Sequence, residues 1–113
     1  MDSIAIAGID MLTRIGVTDA ERSAPQQITV DIELYTDLSR AGQSDAIVDT
    51  IDYAAVVTKV QEAASGERNT MERLAEDIAA RLLKTFRPKA VDVSITKNIL
   101  PGISGATITI TRP

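Results

Sequence analysis

Four side chains in this sequence combine useful chemistry with an informative position: Lys97, Glu72, Tyr53 and Glu21. Lys97 ends the stretch VDVSITK, in which Val91, Val93 and Ile95 alternate with Asp92, Ser94 and Thr96. That period of two marks a half-buried strand and puts Lys97 on its apolar side. A lysine there is either a charged guard at a sheet edge or a base aimed into a cavity. Partial removal from water makes an ammonium easier to deprotonate, as a general base requires. Glu72 lies in NTMER, three residues after Asn69, which is the spacing of a helix capping box. It also shares a helical row with Ala75, Ala79 and Leu83. A carboxylate so placed, at the positive end of a helix, can accept two N–H donors from a planar heterocycle. Tyr53 begins a helix after DTID and is either a packing aromatic or a reactive phenol. Glu21, in TDAER, reads by itself as a surface charge beside Arg22.

Composition narrows what these residues can do. The chain has 113 residues, 44% apolar and 25% charged, which fits a single domain over 1–113 with a core of its own. It contains no cysteine and no histidine. Disulfides, thiolate nucleophiles and iron–sulfur sites are thereby excluded, and the commonest general base and zinc ligand are missing. We therefore expect no metal and no cofactor. Catalysis falls to Lys, Glu, Asp, Tyr and hydroxyl groups, or to the substrate's own electronics. The net charge of −4 and the presence of only Phe86, Tyr35 and Tyr53 as aromatics argue against nucleic acid as a partner. No apolar run approaches the roughly 18 residues that cross a membrane. The opening MDSIAIAG lacks the charged and apolar regions of a secretion signal, so the expected address is cytoplasmic.

The elements that must carry these groups follow from periodicity. Ile4–Leu12 reads as a strand, and Thr13–Gln27 as a bend and loop marked by Gly16, Asp19 and Pro25. Ile28, Val30, Ile32 and Leu34 define a second strand, in hairpin contact with the first. Thr36–Asp52 is polar and reads as a long loop. Val56, Val57, Val60 and Ala64 give the next helix one apolar side, with Gly66 as its stop. Met71, Leu74, Ala75, Ile78, Leu82 and Phe86 repeat at helical steps from an expected N-cap at Asn69, and Pro88 ends the run. Asp77 and Arg81 are spaced to pair along that helix. Ala90–Thr96 and Ala106–Thr111 are the last strands. The order ββααββ predicts an α+β domain: four antiparallel strands with two helices on one face and a polar, weakly charged face opposite. Its two sheet edges call for protection, for which ring-like oligomerisation is one solution.

The segments IGVTDAERSAPQQITVDIEL, SDAIVDTIDYAAV, NTMERLAEDIAARLL, VSITK and ATITITR, in that order and spacing, make the chain similar to the dihydroneopterin aldolase family over almost its whole length. The resemblance implies a T-fold, in which four protomers close into a β-barrel with the helices outside. Two such rings commonly stack into an octamer, with active sites between neighbouring protomers. It implies that Lys97 is the catalytic lysine, that Glu72 anchors the pterin amino-pyrimidine, and that Tyr53 reaches the site across the protomer boundary. Glu21 falls at the family's catalytic-loop glutamate, and Ile51 and Met71 at pterin-lining positions. The implied partner is a pterin, and the implied reaction is metal-free cleavage of 7,8-dihydroneopterin for folate supply. The family's sister activity, epimerisation at C2' of dihydroneopterin or its triphosphate, and a non-catalytic pterin-binding module are the competing readings. Two departures stand out: Asn98 follows the lysine where many members have proline, and the turn ILPGISG is not the commonest form.

Overall fold

Alternating apolar residues build the sheet and three- to four-residue repeats build the helices that cover it. In the computed structural model, which describes residues 1–98 and 101–113, β1 (Ser3–Ile15) is followed by a one-turn helix α1 (Asp19–Arg22) and β2 (Gln26–Tyr35). The chain then forms α2 (Ser39–Ser44), a 3-10 turn (Ile47–Asp49), α3 (Tyr53–Ala63), the two-residue β3 (Glu67–Arg68) and α4 (Met71–Phe86). It closes with β4 (Ala90–Lys97) and β5 (Ala106–Arg112). The strand order is β3-β1-β2-β4-β5, antiparallel throughout except for the parallel β1–β3 pair.

The α+β class and the four long strands follow the periodicity, while the counts need correction. Among the described residues the sheet has five strands, because β3, two residues long, pairs beside the end of β1. The segment Thr36–Asp52 is not a plain loop, since α2 and the 3-10 turn occupy much of it. Both are too short to show a periodic pattern.

Ile28, Val30, Ile32 and Leu34 of β2 and Val91, Val93 and Ile95 of β4 are buried on one face of the sheet. Val56 and Val60 of α3 and Leu74, Ile78 and Leu82 of α4 are buried in the same core. Each fully buried side chain of this kind contributes roughly 1.5–3 kcal/mol, so this layer dominates the stability. Thr13 donates from its hydroxyl to the Ala64 carbonyl at 2.8 Å, tying β1 to the end of α3. Gly66, with φ +91, reverses the chain from α3 into β3, a turn that suits glycine. Arg68 donates to the carbonyls of Ala63 at 2.7 Å and Ser65 at 2.9 Å, and to Asp77 at 2.8 Å. Asp77 therefore pairs with Arg68 and Arg73, and Arg81 with Glu62, in place of the expected Asp77–Arg81 pair.

The opposite face carries more charge than expected: Asp10, Asp31, Glu33 and Asp92 project there among the threonines. Each has a local donor, including Thr29 to Asp10 at 2.7 Å and Tyr35 to Asp92 at 2.6 Å. Hydrogen bonding to Asp92, aided by burial and by Glu33, raises the Tyr35 phenol above its ordinary value.

Candidate active site

Strand pairing decides where Lys97 points. It lies opposite Ile28 on one side and Ala106 on the other, at the end of the β2–β4–β5 ladder and in phase with the buried Val91, Val93 and Ile95. Its side chain is 14% exposed. The ammonium meets the Glu21 carboxylate, Nζ to Oε2, at 3.6 Å, an ion pair longer than a hydrogen bond.

Glu21 reaches this place through α1. Thr18 caps that turn, its Oγ1 accepting from the Glu21 backbone N–H at 3.1 Å. A single turn cannot persist alone, and α1 buries no side chain. Polar ties hold it instead: Gln26 Nε2 donates to the Glu21 carbonyl at 3.0 Å and to the Ile15 carbonyl at 2.9 Å. Arg14 donates to the Arg22 carbonyl at 3.1 Å. The approach also depends on Gly16, because a Cβ there would lie 2.4 Å from Glu21 Cβ and 2.9 Å from its Oε2.

Glu72 stands in the first turn of α4, exposed, where the helix dipole favours a carboxylate. The capping-box expectation fails by one residue. Thr70 is the N-cap, its side chain accepting from Arg73 N–H at 3.2 Å, and the Asn69 Oδ1 accepts from Arg22 instead. Asn and Thr both suit an N-cap, and Thr70 takes the place expected for its neighbour Asn69. Glu72, not needed for that cap, is among the residues that line a cavity shared with Lys97 and Glu21.

A cavity of about 250 Å³ joins these groups. Lys97, Glu21, Glu72 and Met71 line it, together with Ile15, Gly16, Val17, Asn69 and Thr70. Tyr53 and Ile51 are not among its lining residues. Ile51 is buried in the core, whereas Tyr53, at the start of α3, is 67% exposed. One protomer thus brings four of the six expected residues together and leaves the tyrosine turned outward. Asn98 is exposed, and Ile99 and Leu100 of the unusual turn lie outside the described residues. Gly16 and Arg22 both contact the segment that carries Glu21 or its neighbours, and residue-by-residue reading gave neither a place in the site. The only sequence signals for them are a glycine directly after a strand and a basic neighbour of Glu21.

Fold and cavity define the class: an α+β domain with a lysine and two glutamates gathered around a small cavity at the end of its sheet, side chains able to move protons on a small ligand. The chain belongs to the dihydroneopterin aldolase family, whose FolB model matches residues 4–111. A probable dihydroneopterin aldolase of Synechocystis is 39% identical over 98 residues, covering 86% of this chain and 83% of the relative. A crystal structure of a putative dihydroneopterin aldolase from Vibrio cholerae superposes with TM-score 0.96 at 32% identity, covering 99% of this chain and 97% of that one. The Escherichia coli dihydroneopterin aldolase, solved in complex with neopterin, superposes with TM-score 0.94 at 30% identity over the full length of both chains.

Proposed function

We propose the following route for the dihydroneopterin aldolase activity that family membership gives this chain. 7,8-Dihydroneopterin carries a ring C=N bond next to its side chain, so the ring itself can accept the electrons of the breaking bond. The protein then needs to supply only positioning and proton transfer. Lys97 removes the proton of the 2'-hydroxyl, directly or through water. The C2'–O bond becomes a carbonyl, the C1'–C2' bond breaks, and its electron pair moves into the ring to give an enamine as N5 takes a proton. Glycolaldehyde leaves. Protonation at C1' and loss of the N5 proton give 6-hydroxymethyl-7,8-dihydropterin, with Tyr53, Lys97 and water as the relay. Glu72 holds the amino-pyrimidine and Met71 flanks the ring, Glu21 organises Lys97 or water, and Ile51, which does not line the cavity of its own protomer, reaches the pterin as Tyr53 does, from the neighbouring protomer.

The observation that carries this reading is the Lys97–Glu21 pair at 3.6 Å in the same cavity as Glu72. Anaerobic incubation with 7,8-dihydroneopterin, with products separated by chromatography, tests it. Hydroxymethyl-dihydropterin with glycolaldehyde is the expected outcome. An epimer without cleavage would favour the sister activity, and binding without turnover a non-catalytic module.

The assembly belongs to the same proposal: four protomers close a barrel, alone or as a stacked octamer, and Tyr53 completes the neighbour's site. Three observations support it. Among the described residues, β1 pairs on its outer side only at Arg14 and Ile15, and β5 pairs only with β4. Long open edges of this kind call for a partner. The radius of gyration, 15.2 Å, exceeds the roughly 13 Å of a self-contained domain of this length. Ile47, Val48 and Tyr53, just before and at the start of α3, are each exposed, Val48 at 85%. Among the described residues no helix is long and apolar enough to cross a membrane.

A further inference from the structure

We propose that Arg22 is a positioning residue of the aldolase reaction, clamping the Glu21 turn to the start of the helix that carries Glu72. This rests on the reading of Glu21 and Lys97 as the proton-transfer pair. Arg22 NH1 donates to the Gly16 carbonyl at 2.7 Å and to Asn69 Oδ1 at 2.8 Å, and its NH2 pairs with Asp19. The Arg22 side chain is 16% exposed although it sits on a turn with no buried side chain. Its planar fork thus spans three segments: the exit of β1, the first turn of α1 and the residue two before α4.

The other ties on α1 do different work. Thr18 caps the turn internally, while Arg14 and Gln26 fasten it to β1 and β2. Among the described residues, Arg22 makes the hydrogen bond from α1 to the segment leading into α4, joining positions 47 residues apart. The two halves of the chemistry are carried on separate elements. Glu21 rides on α1 against Lys97 of β4, whereas Glu72 rides on α4. A pterin held by Glu72 presents its side chain to the proton-transfer pair only if those elements keep a constant spacing. Arg22 sets that spacing, and it does so with geometry that lysine lacks, since an ammonium is a point charge without the planar fork.

The test uses the full-length chain with 7,8-dihydroneopterin as substrate and fluorescence titration of 6-hydroxymethylpterin as the binding probe. Arg22→Ala is expected to lower kcat about tenfold or more, with the pterin Kd changed by less than about threefold. Arg22→Lys recovers only part of the loss, and Asn69→Ala reproduces part of it. In a Glu21→Gln background, Arg22→Ala and Asn69→Ala lower kcat no further, because both act through the missing carboxylate. Should Arg22→Ala fold poorly, Asn69→Ala alone and with Glu21→Gln carries the same comparison. Wild-type kcat in both Arg22→Ala and Asn69→Ala, beside a deficient Glu21→Gln, would overturn the clamp. So would losses that multiply in the double variants. Full activity in Glu21→Gln would instead remove the role of Glu21, and the clamp with it.

Discussion

Gly16→Ala is the most economical perturbation of the site, because it adds one methyl group where Glu21 passes. The new Cβ would stand 2.4 Å from Glu21 Cβ, while even a tight Cβ contact needs 3.0–3.4 Å. The atom in the way is the root of the side chain, so rotation of Glu21 cannot relieve the overlap and α1 must retreat by about 1 Å. Added to the 3.6 Å between Lys97 and Glu21, a retreat of that size carries the pair beyond 4 Å. A misplacement of about 1 Å costs on the order of a hundredfold in rate. We therefore expect kcat to fall about a hundredfold, while pterin affinity, which the proposed function assigns to Glu72 on a different element, changes less than about threefold. Because α1 buries no side chain, the loss of stability should stay within about 1 kcal/mol. Gly42→Ala is the control: it lies in α2, its Cβ meets no atom within 4 Å, and it should leave both rate and melting temperature intact or slightly raised. Steady-state kinetics, pterin titration and thermal melts of the two variants decide the matter. Wild-type kcat in Gly16→Ala would refute the argument that the closeness of Glu21 to Lys97 sets the rate.

Three further outcomes follow. Glu72→Ala should weaken pterin binding by about a hundredfold or more, since a charge-assisted pair of hydrogen bonds is lost. A variant that merely melts lower, with unchanged pterin Kd, would return Glu72 to a helix-end role. Tyr53→Ala and Lys97→Ala chains, each inactive, should regain about one quarter of wild-type activity when unfolded and reassembled together, because one site then draws its two residues from different protomers. No recovery in verified mixed oligomers would count against a shared site. Burial works to raise the Asp77 carboxyl, but hydrogen bonds and charge from Arg68 and then Arg73 outweigh it and hold it below its ordinary 3.8. Its stabilisation is therefore fully present above that value and is lost as pH falls through the depressed one. Asp77→Asn should cost about 1 kcal/mol near neutrality, a partly exposed pair being screened, and should flatten the acid side of the stability profile. An unchanged acid slope in urea melts would contradict this.

Much of this was legible in the sequence where side-chain parity carries the information. The phase of Val91, Val93 and Ile95 placed Lys97 inward, and the pairing with Ile28 and Ala106 keeps it there. The repeats of α4 placed Glu72 on its first turn. What escaped depends on contacts between distant segments. α1 is four residues of polar chain, and its place against Lys97 comes from Gly16, Arg22 and Gln26 reaching to other elements, which no local pattern encodes. β3 has two residues and exists because the chain runs beside β1 on its way to α4. The acidic outer face escaped for a related reason: Asp10, Asp31, Glu33 and Asp92 are scattered over three strands and become neighbours only once β1, β2 and β4 are in register. The role proposed for Tyr53 rests on family resemblance alone, since one protomer leaves that side chain outside the cavity.

The central claim is that Lys97 moves the proton while Glu72 holds the pterin. A single-turnover comparison of wild type and Lys97→Ala, under anaerobic conditions with saturating 7,8-dihydroneopterin, tests it most directly. The account predicts that the variant binds the substrate with a Kd within about threefold of wild type and releases glycolaldehyde at least about a hundredfold more slowly. A variant that cleaves at the wild-type rate would contradict the account and leave Lys97 a charged strand end.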